Sequence, residues 1–233
     1  MTAVFKREFK SYFISPLGYV FLAIFLFFEG LFFSNLYAYG SPNNEIIFPS
    51  LSMVVVLVTP VITMRLLSEE RRQKIDQALL TAPVTVAGIV LGKFLAAFAV
   101  YALAFAPVVV FELVVTLIST PNWLIFLNAW RGSMLIGAAL IAIGMLISAL
   151  TESPIISCIL TLITFLLLML LPSIAGLVGV EWVNKAAAKI AFVNLFTNFT
   201  SSIFSITDVV YLLSIIAVFV FLSTRAVERR RWA

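Results

Sequence analysis

"IISCILTLITFLLLMLL", residues 155–171, contains no charged side chain. A helix crosses about 30 Å of hydrocarbon in roughly 20 residues, and this run is the least ambiguous of several candidates for such a crossing. The rest of the chain is of the same kind. Of its 233 residues 63% are hydrophobic and only 11% charged, with a mean hydropathy of +1.15. Soluble domains are about half apolar and a quarter charged, so the composition belongs to the membrane class. Six stretches are long enough to span: 17–39, 46–66, 88–117, 129–150, 155–175 and 207–224. The expected fold is an all-α integral membrane protein forming one transmembrane domain over 1–233. No repeat of about 20–50 residues and no second domain interrupts it.

Charge sets the expected topology. Lys6, Arg7 and Lys10 precede the first span, Arg65, Arg71, Arg72, Lys74 and Lys93 flank the second connection, and Arg225, Arg229, Arg230 and Arg231 follow the last span. Only Arg131, Lys185 and Lys189 fall on the other side. The positive-inside rule makes the basic side cytoplasmic, which predicts a multi-pass plasma (inner) membrane protein of bacterial type with both termini inside. Because the basic residues sit at the edges of apolar runs, the net charge of +4 points to a membrane and not to nucleic acid. Met1 to Lys10 has the charge of a signal peptide's first region, but no small-residue cleavage site follows the run from Leu17, so no cleavage is expected.

Two segments read as interfacial. In "MTAVFKREFKSYFI" (1–14), Val4, Phe5, Phe9, Tyr12 and Phe13 recur at helical spacing with Lys6, Arg7 and Lys10 between them. Such a helix lies in the interface, apolar face down and basic face toward phosphates or a partner, and Ser15-Pro16 then turns the chain into the bilayer. Residues 176–206, too polar to span and too aromatic for a plain loop, are expected to form a short re-entrant or interfacial helical pair on the outer side. Asn198-Phe199-Thr200 matches a glycosylation acceptor, a weak pattern that carries no weight here.

Enzymatic chemistry finds little support. The chain has no His, which removes the commonest general base and metal ligand and any Ser-His-Asp triad. No metal-ligand cluster appears, and lone Cys158 in an apolar run reads as a small buried hydrophobe. "AGIVLGKF" (87–94) has Ala where a phosphate-binding loop needs its first Gly, and Phe where it needs Ser or Thr. Gly88 and Gly92 instead form a pair that permits close helix packing. Two acids fall inside spans. Glu112 lies about 28 Å along the helix from Lys93, near the outer interface, hydrated or paired with Arg131. Glu29 lies about 18 Å beyond Leu17. A buried acid is costly in lipid, so Glu29 is expected to face a cavity or subunit seam, or to make an interhelical hydrogen bond. Ser34 and Asn35 make the same part of the span polar enough to line a path.

The densest charge is "SEERRQKIDQALL" (68–80), between the second and third spans. Ser68 is placed to cap a helix carrying Glu69 and Glu70 in its first turn. Glu70 and Lys74 are spaced for an i,i+4 pair, Ile75, Ala78 and Leu79 supply an apolar face, and Pro83 stops the helix. The expected element is a short amphipathic helix beneath the membrane that docks another protein. "SEERRQKIDQALLTAPVTVAGIVLGKF" resembles the region of ABC-2-type permeases in which an acidic-basic cytoplasmic helix leads through a Leu-Leu and a small-residue-Pro step to Gly-Lys-Phe. The resemblance extends to the basic amphipathic start, the six spans, the outer loop before the last and "ISALTESPIIS" (147–157) as a short cytoplasmic turn. "SPLGYVFLAIFLFFEG" most resembles the gliding-motility-associated branch. The resemblance implies a non-enzymatic permease, an exporter by class, that dimerises with a second copy or a related permease and is driven by separate ATPase subunits carrying ATP and Mg, with no cofactor on this chain. It implies ATPase contacts at Glu69, Glu70, Arg71, Arg72, Lys74 and Asp76, helped by Lys6, Arg7 and Lys10, with a second contact at Thr151, Glu152 and Ser153. Two other readings stand beside it: a membrane scaffold without a path, and an ion-coupled carrier using Glu29, which lacks the internal inverted repeat of many carriers.

Overall fold

Prolines divide this apolar chain into its helices. The computed structural model describes residues 1–38, 47–72, 85–117, 120–178, 195, 198–199 and 206–229, all its regular elements being helical. Helix α1 (Thr2–Ile14) ends at Ser15, whose extended backbone is what a following proline demands, and α2 (Pro16–Ala38) starts on Pro16. Helix α3 (Ile47–Thr63) carries Pro60 near its end. A turn at 64–67 leads into α4 (Ser68–Arg72). The third span is two helices, α5 (Val86–Ala104) and α6 (Ala106–Thr116), broken at Phe105 because Pro107 has no N–H to continue the ladder. Helix α7 (Trp123–Leu150) is capped by Asn122, whose Oδ1 accepts from the Ile125 N–H at 3.4 Å. Helix α8 is Pro154–Val178 and α9 is Ile206–Arg229.

Six stretches of the described residues are long and apolar enough to cross a membrane, and the protein is an all-α integral membrane protein. Several span boundaries shift from the sequence reading, two of them because a helix outruns its apolar stretch. The fourth span starts at Trp123, six residues before the expected 129, and the last helix runs to Arg229, past 224. In both cases polar side chains end a hydropathy run without ending a helix, whose backbone bonds close regardless of what the side chains carry. Most of the outer connection, including the expected helical pair, lies outside the described residues, although Leu195 and Phe199 within it are buried.

Helix α7 is the centre of the bundle. Of its most apolar window 78% is buried, against 22% for the first span, 17% for the fifth and 11% for the sixth. It packs against α3, α5 and α8, and most extensively against α9. Two of its glycines explain how. A Cβ on Gly137 would stand 2.2 Å from the Tyr101 ring, and one on Gly144 would stand 2.6 Å from Thr63 Oγ1. Only hydrogen there lets α5 and α3 approach so closely. Seated against Gly137, Tyr101 donates its hydroxyl hydrogen to the Ser133 carbonyl at 3.0 Å. Phe25 and Phe105 pack around its ring, with centroids 6.1 and 4.9 Å away. The Gly88/Gly92 pair also has a packing use, since a Cβ on Gly92 would lie 3.1 Å from Val4 of α1.

Candidate functional site: the charged end of the bundle

The spacing of α1 is reproduced in its two faces. Tyr12 is buried and Val4, Phe5, Phe9 and Phe13 are partly so, while Lys6, Arg7 and Lys10 are exposed. The three phenylalanines run along the helix with ring centroids 5.9 and 5.1 Å apart. This face lies against α5, which brings α1 beside Lys93.

Lys93 is fully buried. Its Nζ lies 3.2 Å from Glu8 Oε2 and 3.0 Å from Glu70 Oε1. Arg7 closes the arrangement, its Nη2 lying 2.7 Å from Glu8 Oε1 and 3.0 Å from Glu70 Oε1. Two cations and two carboxylates alternate, so each charge faces two of opposite sign and the group is neutral. Hydrogen bonding to Glu8 outweighs partial burial and raises the Arg7 pKa above its ordinary value. The carboxylates keep some contact with water, at 16% and 17% exposure. A cleft of about 420 Å³ beside them is also lined by Arg65 and Glu69. The network joins α1, α4 and α5, three elements separate in sequence.

The turn between α3 and α4 is held from α7. The Ser148 hydroxyl accepts from the N–H groups of Leu67 and Ser68, each at 3.1 Å, and donates to the Met64 carbonyl at 3.1 Å. One donor and two acceptor positions are all that a serine hydroxyl has, so the contact is saturated. Ser68 does not cap α4 as its position suggested. It is buried and donates its hydroxyl hydrogen back to Met64 O, while its own N–H and that of Leu67 are taken up by Ser148. Tyr12 adds a further tie, donating to the Ile62 carbonyl at 2.8 Å. Burial pushes the Tyr12 phenol far above its ordinary pKa.

The residues of the charged stretch therefore turn largely inward. Glu69 lies 3.6 Å from Arg65, one helical turn back. Glu70 is held by Arg7 and Lys93. Arg71 reaches Glu152 at 2.5 Å and the Leu150 carbonyl at 3.3 Å, so the turn between α7 and α8 is tied to α4. Within that turn Thr151 donates its hydroxyl hydrogen to Ile147 O at 3.0 Å, and the Ser153 carbonyl accepts from Ser157 N at 2.9 Å. Arg72, Lys6 and Lys10 stay exposed. Lys74 and Asp76, with the remainder of 68–80 beyond Arg72, lie outside the described residues.

The residues expected to line a path separate. Glu29 is fully buried, and neither of its carboxyl oxygens has a hydrogen-bond partner among the described residues. Ser34 and Asn35 are exposed on the outside of α2, Glu112 is buried in α6 and Arg131 is exposed on α7. Sequence reasoning missed Glu8 and counted Lys93 only among the basic residues flanking the second connection. One signal was available: Glu8 is the only acid among the first 28 residues, and it sits among three bases in a helix whose other face is aromatic.

A family model described as ABC-2 family transporter protein matches residues 34–226. The match includes Glu70, Arg71, Lys93 and Glu152 and leaves out α1. None of the curated proteins is significantly similar to the chain.

Proposed function

This chain belongs to the ABC-2 family of transporter proteins, and on that premise we propose that it is the membrane-embedded half of an exporter whose ATP is hydrolysed on separate subunits. The family membership makes it a multi-pass membrane permease of the ABC type. Export, the ATPase partner, a dimer with a second copy or related permease, cytoplasmic placement of the charged end and kinship with the gliding-motility branch are parts of the proposal. On this reading the ATPase binds ATP and Mg, and this chain contributes the path and the docking surface.

One observation carries the reading: the ion network of Arg7, Glu8, Glu70 and Lys93 fastens α1 and α4 to α5. A push on the exposed side of α1 or α4 is then delivered to the third span through a buried lysine, and to the second through the turn held by Ser148. Charge-assisted bonds with several partners resist shear better than a single surface pair. The docking surface is accordingly the outward set of Lys6, Lys10 and Arg72. Glu69 and Glu70 serve to transmit.

The test separates the two roles. Lys6→Glu/Lys10→Glu/Arg72→Glu alters exposed positions and leaves the network whole. It is expected to insert and melt like the wild type, and to lose co-purifying ATPase and transport-linked ATP hydrolysis. Undiminished ATPase association and hydrolysis in that variant would refute docking here. Absence of any stoichiometric nucleotide-binding subunit from the native complex would favour a scaffold without transport.

A further inference from the structure

A second cleft, of about 320 Å³, opens at the charged end where α4, the end of α7 and the end of α9 meet. Arg71, Arg225 and Arg229 line it together with Ala149, Leu150 and Ala226. Three guanidinium side chains from two helices thus border one space whose remaining wall is apolar. Two have acidic partners: Glu152 beside Arg71 at 2.5 Å, and Glu228 beside Arg225 at 3.0 Å. Both acids are substantially exposed, at 70% and 36%, so water screens these pairs and they exchange readily. Arg229 is exposed and has no ion-pair partner among the described residues. The sequence continues with Arg230, Arg231 and Trp232.

The cleft also lies where the apolar surface of α9 ends. Phe221 and Leu222 are exposed, as is Leu150 at the end of α7, and the Arg225 guanidinium sits over the Phe221 ring, 5.1 Å from its centroid. We propose that this cleft binds the headgroup of an anionic phospholipid, its phosphate between the three arginines and its acyl chains along Phe221 and Leu222.

Guanidinium forks match phosphate oxygens two at a time, and basic pockets between membrane helices at headgroup depth are suited to acidic lipid headgroups. Three arginines against two exposed acids leave the cleft net positive, which favours an anionic lipid over a zwitterionic one. The apolar track continuous with it favours an amphiphile over a free phosphate ion. Since Arg71 belongs to α4, a bound headgroup bridges α9 to the element that the ion network ties to α5. The inference requires that the chain cross a bilayer and does not require that it dock an ATPase, so the two readings fail separately.

The experiment uses the full-length protein, purified and reconstituted in nanodiscs of phosphatidylcholine with or without phosphatidylglycerol, with retained lipid counted by native mass spectrometry. Wild type is expected to retain phosphatidylglycerol at least about tenfold more strongly than phosphatidylcholine. Each basic group near an anionic surface multiplies affinity by about fivefold, so Arg225→Gln/Arg229→Gln should weaken that retention by roughly thirtyfold. Lys6→Gln/Lys10→Gln removes the same charge from exposed positions of α1 and should change retention by less than about twofold. Arg229→Gln alone, which breaks no described ion pair, should lose about fivefold and keeps the test open if the double variant fails to insert. Equal retention of the two lipids, an Arg229→Gln protein that binds like wild type, an equal loss in the Lys6/Lys10 variant, or displacement of the lipid by excess inorganic phosphate would each overturn the assignment.

Discussion

Replacing Lys93 by Met keeps the length and apolar stem of the side chain and deletes the ammonium that Glu8 and Glu70 share. In the wild type two positive and two negative charges balance. In Lys93→Met the single remaining cation, Arg7, faces two carboxylates brought together by helices that have not moved. Removing one partner from a buried ion pair costs about 3–5 kcal/mol. Two features pull the cost toward the lower end. Arg7 still bonds both carboxylates, and each acid retains some exposure through which water can reach it. Met also fits an apolar site without the desolvation that Lys93 pays. We therefore expect a loss of about 3 kcal/mol, which for a chain of this size lowers Tm by about 6–12 °C. The assay is thermal unfolding of the purified protein in detergent, read by light scattering and intrinsic fluorescence. A second variant makes the cause explicit. Lys93→Met/Glu70→Gln restores neutrality, leaving Arg7 with Glu8, and should recover at least about half of the loss as a coupling energy between neighbouring sites. A Lys93→Met protein that melts within about 1 °C of wild type, or a double variant that adds the two single losses, would show that the charges are not what organises this end.

Ser148→Ala removes a hydroxyl that satisfies two N–H groups and one carbonyl, and with each unsatisfied buried group costing about 1–3 kcal/mol a loss of roughly 2–4 kcal/mol is expected in the same melt; faster hydrogen exchange at Leu67 and Ser68 would locate it. Gly137→Val drives a side chain into the Tyr101 ring and should cost about 3 kcal/mol or prevent folding, with Gly137→Ala milder, so an unperturbed melt for both would contradict the close approach of α5 and α7. The buried Tyr12 phenol stays neutral when folded, whereas unfolded tyrosine ionises near its ordinary value of 10.0. This contribution is intact below pH 10 and falls by about 1.4 kcal/mol per pH unit above it. Tyr12→Phe should therefore lose stability less steeply than wild type between pH 10 and 11.5, and parallel curves would count against the burial. For topology, cysteines at Ser201 and Gln73, in a chain whose Cys158 has been replaced, should label from outside and only after permeabilisation, respectively; the reverse pattern overturns the placement of the charged end in the cytoplasm.

The six crossings were legible in the sequence because hydrocarbon thickness is a one-dimensional constraint: a run such as 155–171 must be about a helix-span long and free of charge, and both properties are countable. The amphipathic start was legible for a similar reason, since helical spacing by itself sets Val4, Phe9 and Tyr12 apart from Lys6 and Lys10. The tertiary structure decided what the charges do. Residues 8, 70 and 93 approach one another only after three helices have packed, and no local pattern marks Lys93 as a buried centre in place of an interface anchor. The same holds for Glu29, which faces inward while Ser34 and Asn35 face outward, because rotation of a helix about its axis is set by its neighbours. It holds also for Ser148, one hydroxyl in an apolar helix until the turn at 64–67 presents its free backbone groups to it. Apolar length is a property of one segment, whereas the partner of a buried charge is chosen by another.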